Sequence, residues 1–247
     1  MSNVIILPDS YNLALEAARR FVHLASQASE NRGIFTVSLA GGSTPGQMYE
    51  ILASAPHLAM VDWTRVFVFW GDERCVPPDH SDSNYRKAKE ALLDQVPIPA
   101  DHIYRIPAEL PPEQAAEVYE ESLLQFFSSL PDEEQRQQAR FDLVLLGMGD
   151  DGHTASLFPG TPAIHEHTRW VRAQYIDKMA AWRITLTPAI LNRARHIILL
   201  VSGQAKSYTL PRVLYGTYQP ERYPAQVIKP PEGELEWLVD EAAAAQF

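Results

Sequence analysis

The sequence is short of cysteine, short of positive charge and free of long apolar runs, and each shortage excludes a class of protein. Cys75 is the only cysteine among 247 residues, which rules out an intrachain disulfide or a multi-thiolate metal site. The 31 acidic residues outnumber the 21 Lys and Arg, for a formal net charge of −10. General nucleic-acid binding needs a basic footprint, so this balance argues against it. No apolar run approaches the ~18 residues expected of a membrane-spanning helix. The opening Met1–Pro8 lacks the basic start and long apolar core of a signal peptide, so the expected location is the cytoplasm. Low-complexity linkers and internal repeats are missing too.

What remains is an ordinary globular composition, 46% apolar and 21% charged, in a chain best read as one domain over residues 1–247. Strand-like runs lie at 34–40, 66–70, 143–146, 184–186 and 197–201. Between them fall helical patterns: one capped by Asp9 or Ser10, with Leu15, Ala18, Phe21, Val22 and Ala25 on its apolar face; another from Glu113 to about Leu130, with Ala116, Val118, Leu123, Leu124 and Phe127. Asp132–Arg140 reads as an exposed connection or helix end. Strands alternating with helices predict βαβ units and a mainly parallel sheet. In such sheets ligands bind outside the carboxyl ends of the strands, so residues just after each run are the ones to inspect.

Four strand ends carry chemistry. After the first strand comes Gly41-Gly42-Ser43-Thr44-Pro45, a glycine turn into a helix. Thr44 and Gln47 have capping-box spacing, with Pro45 at the first helical position and Met48, Ile51, Leu52 and Ala55 on one face. Exposed N–H groups at such a start favour an anion, most simply a phosphate. After the second strand, Asp72, Glu73 and Arg74 precede two prolines, and Ser83-Asn84-Tyr85 offers further polar ligands. Arg74 can grip phosphate or carboxylate with two bonds. Cys75 reads as a packed bystander.

The third strand end is the segment Phe141–Pro159, which breaks into Gly147-Met-Gly-Asp-Asp-Gly152 and presents His153. The glycines formally match a dinucleotide fingerprint. Pro159 and Pro162 leave no room for a long helix, however, and Trp170–Ala173 stand where a downstream acid is expected. No nucleotide cofactor is therefore expected. His153 is the proton-transfer candidate, since imidazole can exchange protons near neutral pH. After the last strong strand, Ser202-Gly203 turns the chain and Lys206 follows about one helical turn later. His165-Glu166-His167 offers two imidazoles without an evident third ligand, so no metal site is expected.

Together these motifs resemble the 6-phosphogluconolactonase family. The resemblance runs through Leu39–Pro45, Gly71–Pro77, Ser83–Tyr85, Gly147–Pro159, Arg183–Thr187, Ser202-Gly203 with Lys206, and Gly233–Leu238, in order along nearly the whole chain. It implies a three-layer α/β/α fold with a Rossmann-like, mainly parallel sheet, shared with glucosamine-6-phosphate deaminases. Those deaminases continue from their Gly-His turn into Asn-Glu-Pro; here the continuation is Ser156-Leu-Phe-Pro159, which lacks the extra acid and favours lactone hydrolysis. The resemblance implies cofactor-free hydrolysis of 6-phospho-D-glucono-1,5-lactone, with His153 as base and then acid. Asp72 and Asp151 are its candidate partners. Gly41, Gly42, Ser43, Arg74, Asn84, Arg183 and Lys206 are the candidate substrate ligands, with their division of labour left open. The expected partner is a small phosphosugar lactone, not nucleic acid or membrane, bound by a monomer or small homo-oligomer.

Overall fold

The computed structural model describes residues 3–247. Six parallel strands form its central sheet: β1 (Asn3–Leu7), β2 (Phe35–Leu39), β3 (Val66–Trp70), β5 (Leu143–Gly147), β8 (His196–Val201) and β9 (Glu234–Asp240), in the spatial order β1-β9-β8-β5-β2-β3. β2 is wholly buried, and β5 and β8 are buried at all but one end residue, as expected for parallel strands covered on both faces. Helices flank this sheet, among them α1 (Ser10–Arg32), α2 (Ser43–Leu52), α3 (Asn84–Ala88), α4 (Pro112–Ser129) and α5 (Glu133–Gln138). No helix among the described residues is long and apolar enough to cross a membrane.

A second, antiparallel sheet is built from β4 (Asp72–Arg74), β7 (Ala181–Leu186) and β6 (Val171–Ile176), in the order β4-β7-β6. The run at 184–186 therefore belongs to a hairpin outside the parallel sheet. Its backbone register sets Asp72 opposite Thr185 and Arg74 opposite Arg183 across the ladder.

The helix predictions hold in outline. Asp9 caps α1 by accepting from the Asn12 N–H at 2.8 Å. In α4 the buried stripe is rotated from the expected one: Tyr119 and Phe126 are buried, whereas Val118 and Leu124 are exposed. Tyr119 is drawn inward because its hydroxyl bonds both backbone groups of Trp70. The start of α2 is corrected. Helix geometry begins at Ser43, with Gly42 as the cap at φ 108°, so Thr44 is not the cap and no side chain closes the first turn. The helix also stops at Leu52, leaving Ala55 exposed beyond it.

Chain order reverses between β2 and β5: β3 lies to one side, while β8 and β9 continue on the other. The ladder between them is short, joining Val37 to Leu143 and Ser38 to Val144, whereas β5 and β8 are in register over five residues. The strands part at their carboxyl ends. A crevice opens there, as expected at a topological switch point.

Candidate active site

Two buried tyrosines set the rim of this crevice. Tyr49 of α2 bonds the N–H and C=O of Ala40, fixing the end of β2, as Tyr119 of α4 does for Trp70 at the end of β3. Between the fixed ends lies a cavity of about 270 Å³. Its lining includes Gly41, Gly42, Ser43, Asp72, Arg74, Asn84, His153 and Lys206, which come from four separate strand ends. The uncapped first turn of α2 opens onto it, so the free N–H groups and the positive end of the helix dipole face the cavity without a competing side chain.

The turn after β5 is closed by two backbone bonds, Gly152 N–H to Gly149 O and Gly149 N–H to His153 O. It is not followed by a long helix. The His153 ring stacks on Phe158, centroids 4.1 Å apart, and lies against Gly149; a Cβ at Gly149 would sit 2.1 Å from His153 Nδ1. Glycine is required there by close approach. His153 Nδ1 is 2.5 Å from Asp151 Oδ1, and the same oxygen accepts from the His153 backbone N–H. A carboxylate at Nδ1 favours the tautomer with the proton on that nitrogen, leaving Nε2 for chemistry. Burial works against charge on Asp151, but hydrogen bonds from His153 and Lys178 prevail and hold its carboxyl well below the usual carboxylate range.

Asp72 takes a different place. It is buried, accepts from Ser156 Oγ at 2.7 Å and from Asn84 Nδ2 at 3.2 Å, and lines the cavity. Of the two candidate aspartates, Asp151 is the one hydrogen-bonded to His153.

Glu73 builds the support. Its carboxylate accepts from the backbone N–H groups of Arg74, Asn84 and Tyr85 and from Ser83 Oγ, tying the start of α3 to β4. Burial pushes its carboxyl upward and the backbone donors offset part of that. Asn84 is thereby pressed against Gly41, where a Cβ would stand 2.0 Å from Asn84 Oδ1. Two polar atoms of the cavity walls, Asn84 Oδ1 and Arg74 Nε, are buried without a partner, which marks the site as built for one.

Arg183 does not line this cavity. It lies across the ladder from Arg74, and the two border an adjoining groove of about 580 Å³. Burial and then the Arg74 charge lower its affinity for a proton. Lys206 follows a single 3₁₀ turn, Gln204–Lys206, in place of the expected helix. Asp240, at the end of β9, anchors that loop by accepting from Ser202 Oγ at 2.5 Å and Gly203 N–H at 3.0 Å. His165 is exposed and pairs with Glu221 instead of gathering ligands, and no three-residue metal cluster occurs among the described residues. Cys75 is half-buried, and burial pushes its thiol up to about 11. Sequence analysis named Glu73 and Ser156 within motifs but not their supporting roles, and missed Tyr49 and Asp240, because all four act through contacts between distant segments.

Residues 8–237 match the model of the glucosamine-6-phosphate isomerases/6-phosphogluconolactonase family. The chain belongs to this family. A 6-phosphogluconolactonase of Nostoc is 40% identical over 245 residues, covering 99% of this chain and 98% of that protein. One from Synechocystis is 44% identical over 88% of this chain and 87% of its own. Among solved structures, 6-phosphogluconolactonase from Trypanosoma cruzi superposes with a TM-score of 0.86 at 29% identity, covering 99% of this chain and 96% of that one. The family's fold extends further: a monomeric glucosamine-6-phosphate deaminase shares it, with a TM-score of 0.80 at 20% identity. The family resemblance and the α/β/α expectation from the sequence are therefore correct.

Proposed function

We propose that this chain hydrolyses 6-phospho-D-glucono-1,5-lactone to 6-phosphogluconate, with His153 as the proton-transfer group. The observation that carries the reading is His153, hydrogen-bonded to Asp151, on the wall of a cavity that also receives an uncapped helix start and Lys206. A lactone is an activated ester, so water and a base suffice and no metal is required. His153 Nε2 takes a proton from water as its oxygen attacks C1. The tetrahedral intermediate collapses by breaking the bond from C1 to the ring oxygen, and the imidazolium returns the proton to that oxygen. The carboxylic acid so formed then ionises. Acid–base catalysis of this kind is worth about 10²–10⁴-fold.

The α2 start, Ser43 and Lys206 supply the phosphate site in this reading. Holding the phosphate there anchors the lactone while its carbonyl reacts. Arg74 and Asn84, each with an unpartnered buried atom, are assigned to the sugar and the charge developing on the carbonyl oxygen. Asp72, held by Ser156 and Asn84, is assigned to a sugar hydroxyl or the attacking water.

The test measures acid release from freshly made lactone, above its spontaneous hydrolysis, in the wild type and His153→Ala. Acceleration that survives intact in the variant would overturn the role of His153. Ammonia release from glucosamine 6-phosphate would favour a deaminase instead.

A further inference from the structure

The antiparallel sheet has one contact with the candidate site that the reaction scheme does not use. The β6–β7 connection, Asp177–Met179 followed by Ala180 in the left-handed region, brings Lys178 over the β5 turn. Its ammonium bonds Asp151 Oδ2 and sits 4.9 Å from the centre of the Phe158 ring. Asp151 Oδ1 is meanwhile committed to His153, and Phe158 carries the His153 ring on its face. One lysine thus touches both groups that hold the imidazole.

We propose that Lys178 is a positioning residue that clamps Asp151 from the side opposite His153 and so sets the pH range over which His153 works. This rests on the reading of His153 as the base. The physical argument has two parts. A carboxylate with one oxygen bonded to an ammonium is biased to keep its other oxygen on Nδ1, a small effect on rate because that oxygen is also held by the His153 backbone N–H. The lysine also draws on the charge that would otherwise stabilise the imidazolium. A histidine facing a fully available aspartate holds its proton more tightly than one facing an aspartate already shared with a cation. Lys178 therefore lessens the electrostatic support that Asp151 can lend to an imidazolium.

The charged groups around the ring are few. Asp150 and Asp151 lie on its own turn, and Lys178 with Asp177 on the β6–β7 connection. Asp72 and Arg74 of β4 and Lys206 after β8 share the cavity wall. Of these, Asp151 is bonded to the ring, and Lys178 is bonded to Asp151. The Lys178 side chain is about half exposed, so its influence is screened by solvent and salt.

The experiment compares the wild type with Lys178→Met and Lys178→Arg by two readouts. One is the pH dependence of kcat/KM for lactone hydrolysis. The other is NMR titration of the His153 imidazole in the free protein. In Lys178→Met both the acid limb and the titration midpoint should move up by about half to one pH unit, with alkaline rates nearly unchanged. The arginine variant should restore both, and added salt should shrink the shift. An unmoved titration, or a rate loss equal at every pH, overturns the proposal. If the titration moves and the acid limb does not, His153 is not the base and the kinetic part of the proposal falls with it. His153→Ala tests the base independently, because it leaves Lys178 and Asp151 in place.

Discussion

The two ends of the central sheet each hold an aspartate ringed by donors, buried at the amino end and partly exposed at the carboxyl end, and they use it in opposite ways. At the amino end, Asp142 accepts from Thr36 N–H and Thr36 Oγ1 at 2.8 and 2.9 Å and is bridged by Arg32 at 2.6 Å and Arg195 at 3.6 Å. The groups bonded to its carboxylate are backbone, hydroxyl and guanidinium, none of which changes charge near neutral pH, and the His196 imidazole feels it only through its field. At the carboxyl end, Asp151 faces a histidine and a half-exposed lysine. Both carboxylates are anchored; what differs is whether a partner can give up a proton. That difference separates a clamp on the fold from a proposed proton relay.

The comparison can be broken from either side. The largest effect is expected from His153→Ala: lactone hydrolysis should fall by about 10²–10⁴-fold while the melting temperature stays close to that of the wild type. Asp142→Ala should do the reverse. Removing the carboxylate takes away the partner of the Arg32 guanidinium and the acceptor for the Thr36 N–H and hydroxyl, so urea unfolding should show a loss of about 3 kcal/mol, with the kcat of the folded fraction retained. Lys206→Ala should weaken phosphate anchoring by about 1.5–3 kcal/mol, seen mainly as a raised KM. Cys75→Ser should change neither rate nor stability by more than about 0.5 kcal/mol.

Acid should act on the carboxyl end through Asp151. Asp151 loses its proton more readily when folded than when unfolded, so its contribution to stability is complete above about pH 4 and fades only as pH falls below that.

Much of the site was legible because its residues follow strands. Gly41–Ser43, Asp72, Arg74, Asn84, His153 and Lys206 sit after recognisable apolar runs, and parallel topology gathers such positions at one end. Arg183 was legible as part of a motif, but its direction was not. It belongs to an antiparallel ladder whose partner, β4, is only three residues long and too short to show a period. Lys178 had no local signal at all, because its importance depends on where a hairpin turn comes to rest. The α2 cap was misread for a plainer reason. Thr44 and Gln47 have the right spacing, yet Gly42 adopts a left-handed φ and starts the helix two residues sooner.

Asp240 has a consequence for how the molecule comes together. It ends β9, the last strand among the described residues, and β9 is the strand that pairs there with β1, the first. The amino-terminal strand must therefore wait, unpaired in the sheet, until residues 234–240 have emerged and inserted between it and β8. The loop bearing Lys206 waits for the same event, since Asp240 is what fastens it. Closing the edge of the sheet and finishing the proposed phosphate site are thus one step, and a nascent chain stopped short of β9 would have neither.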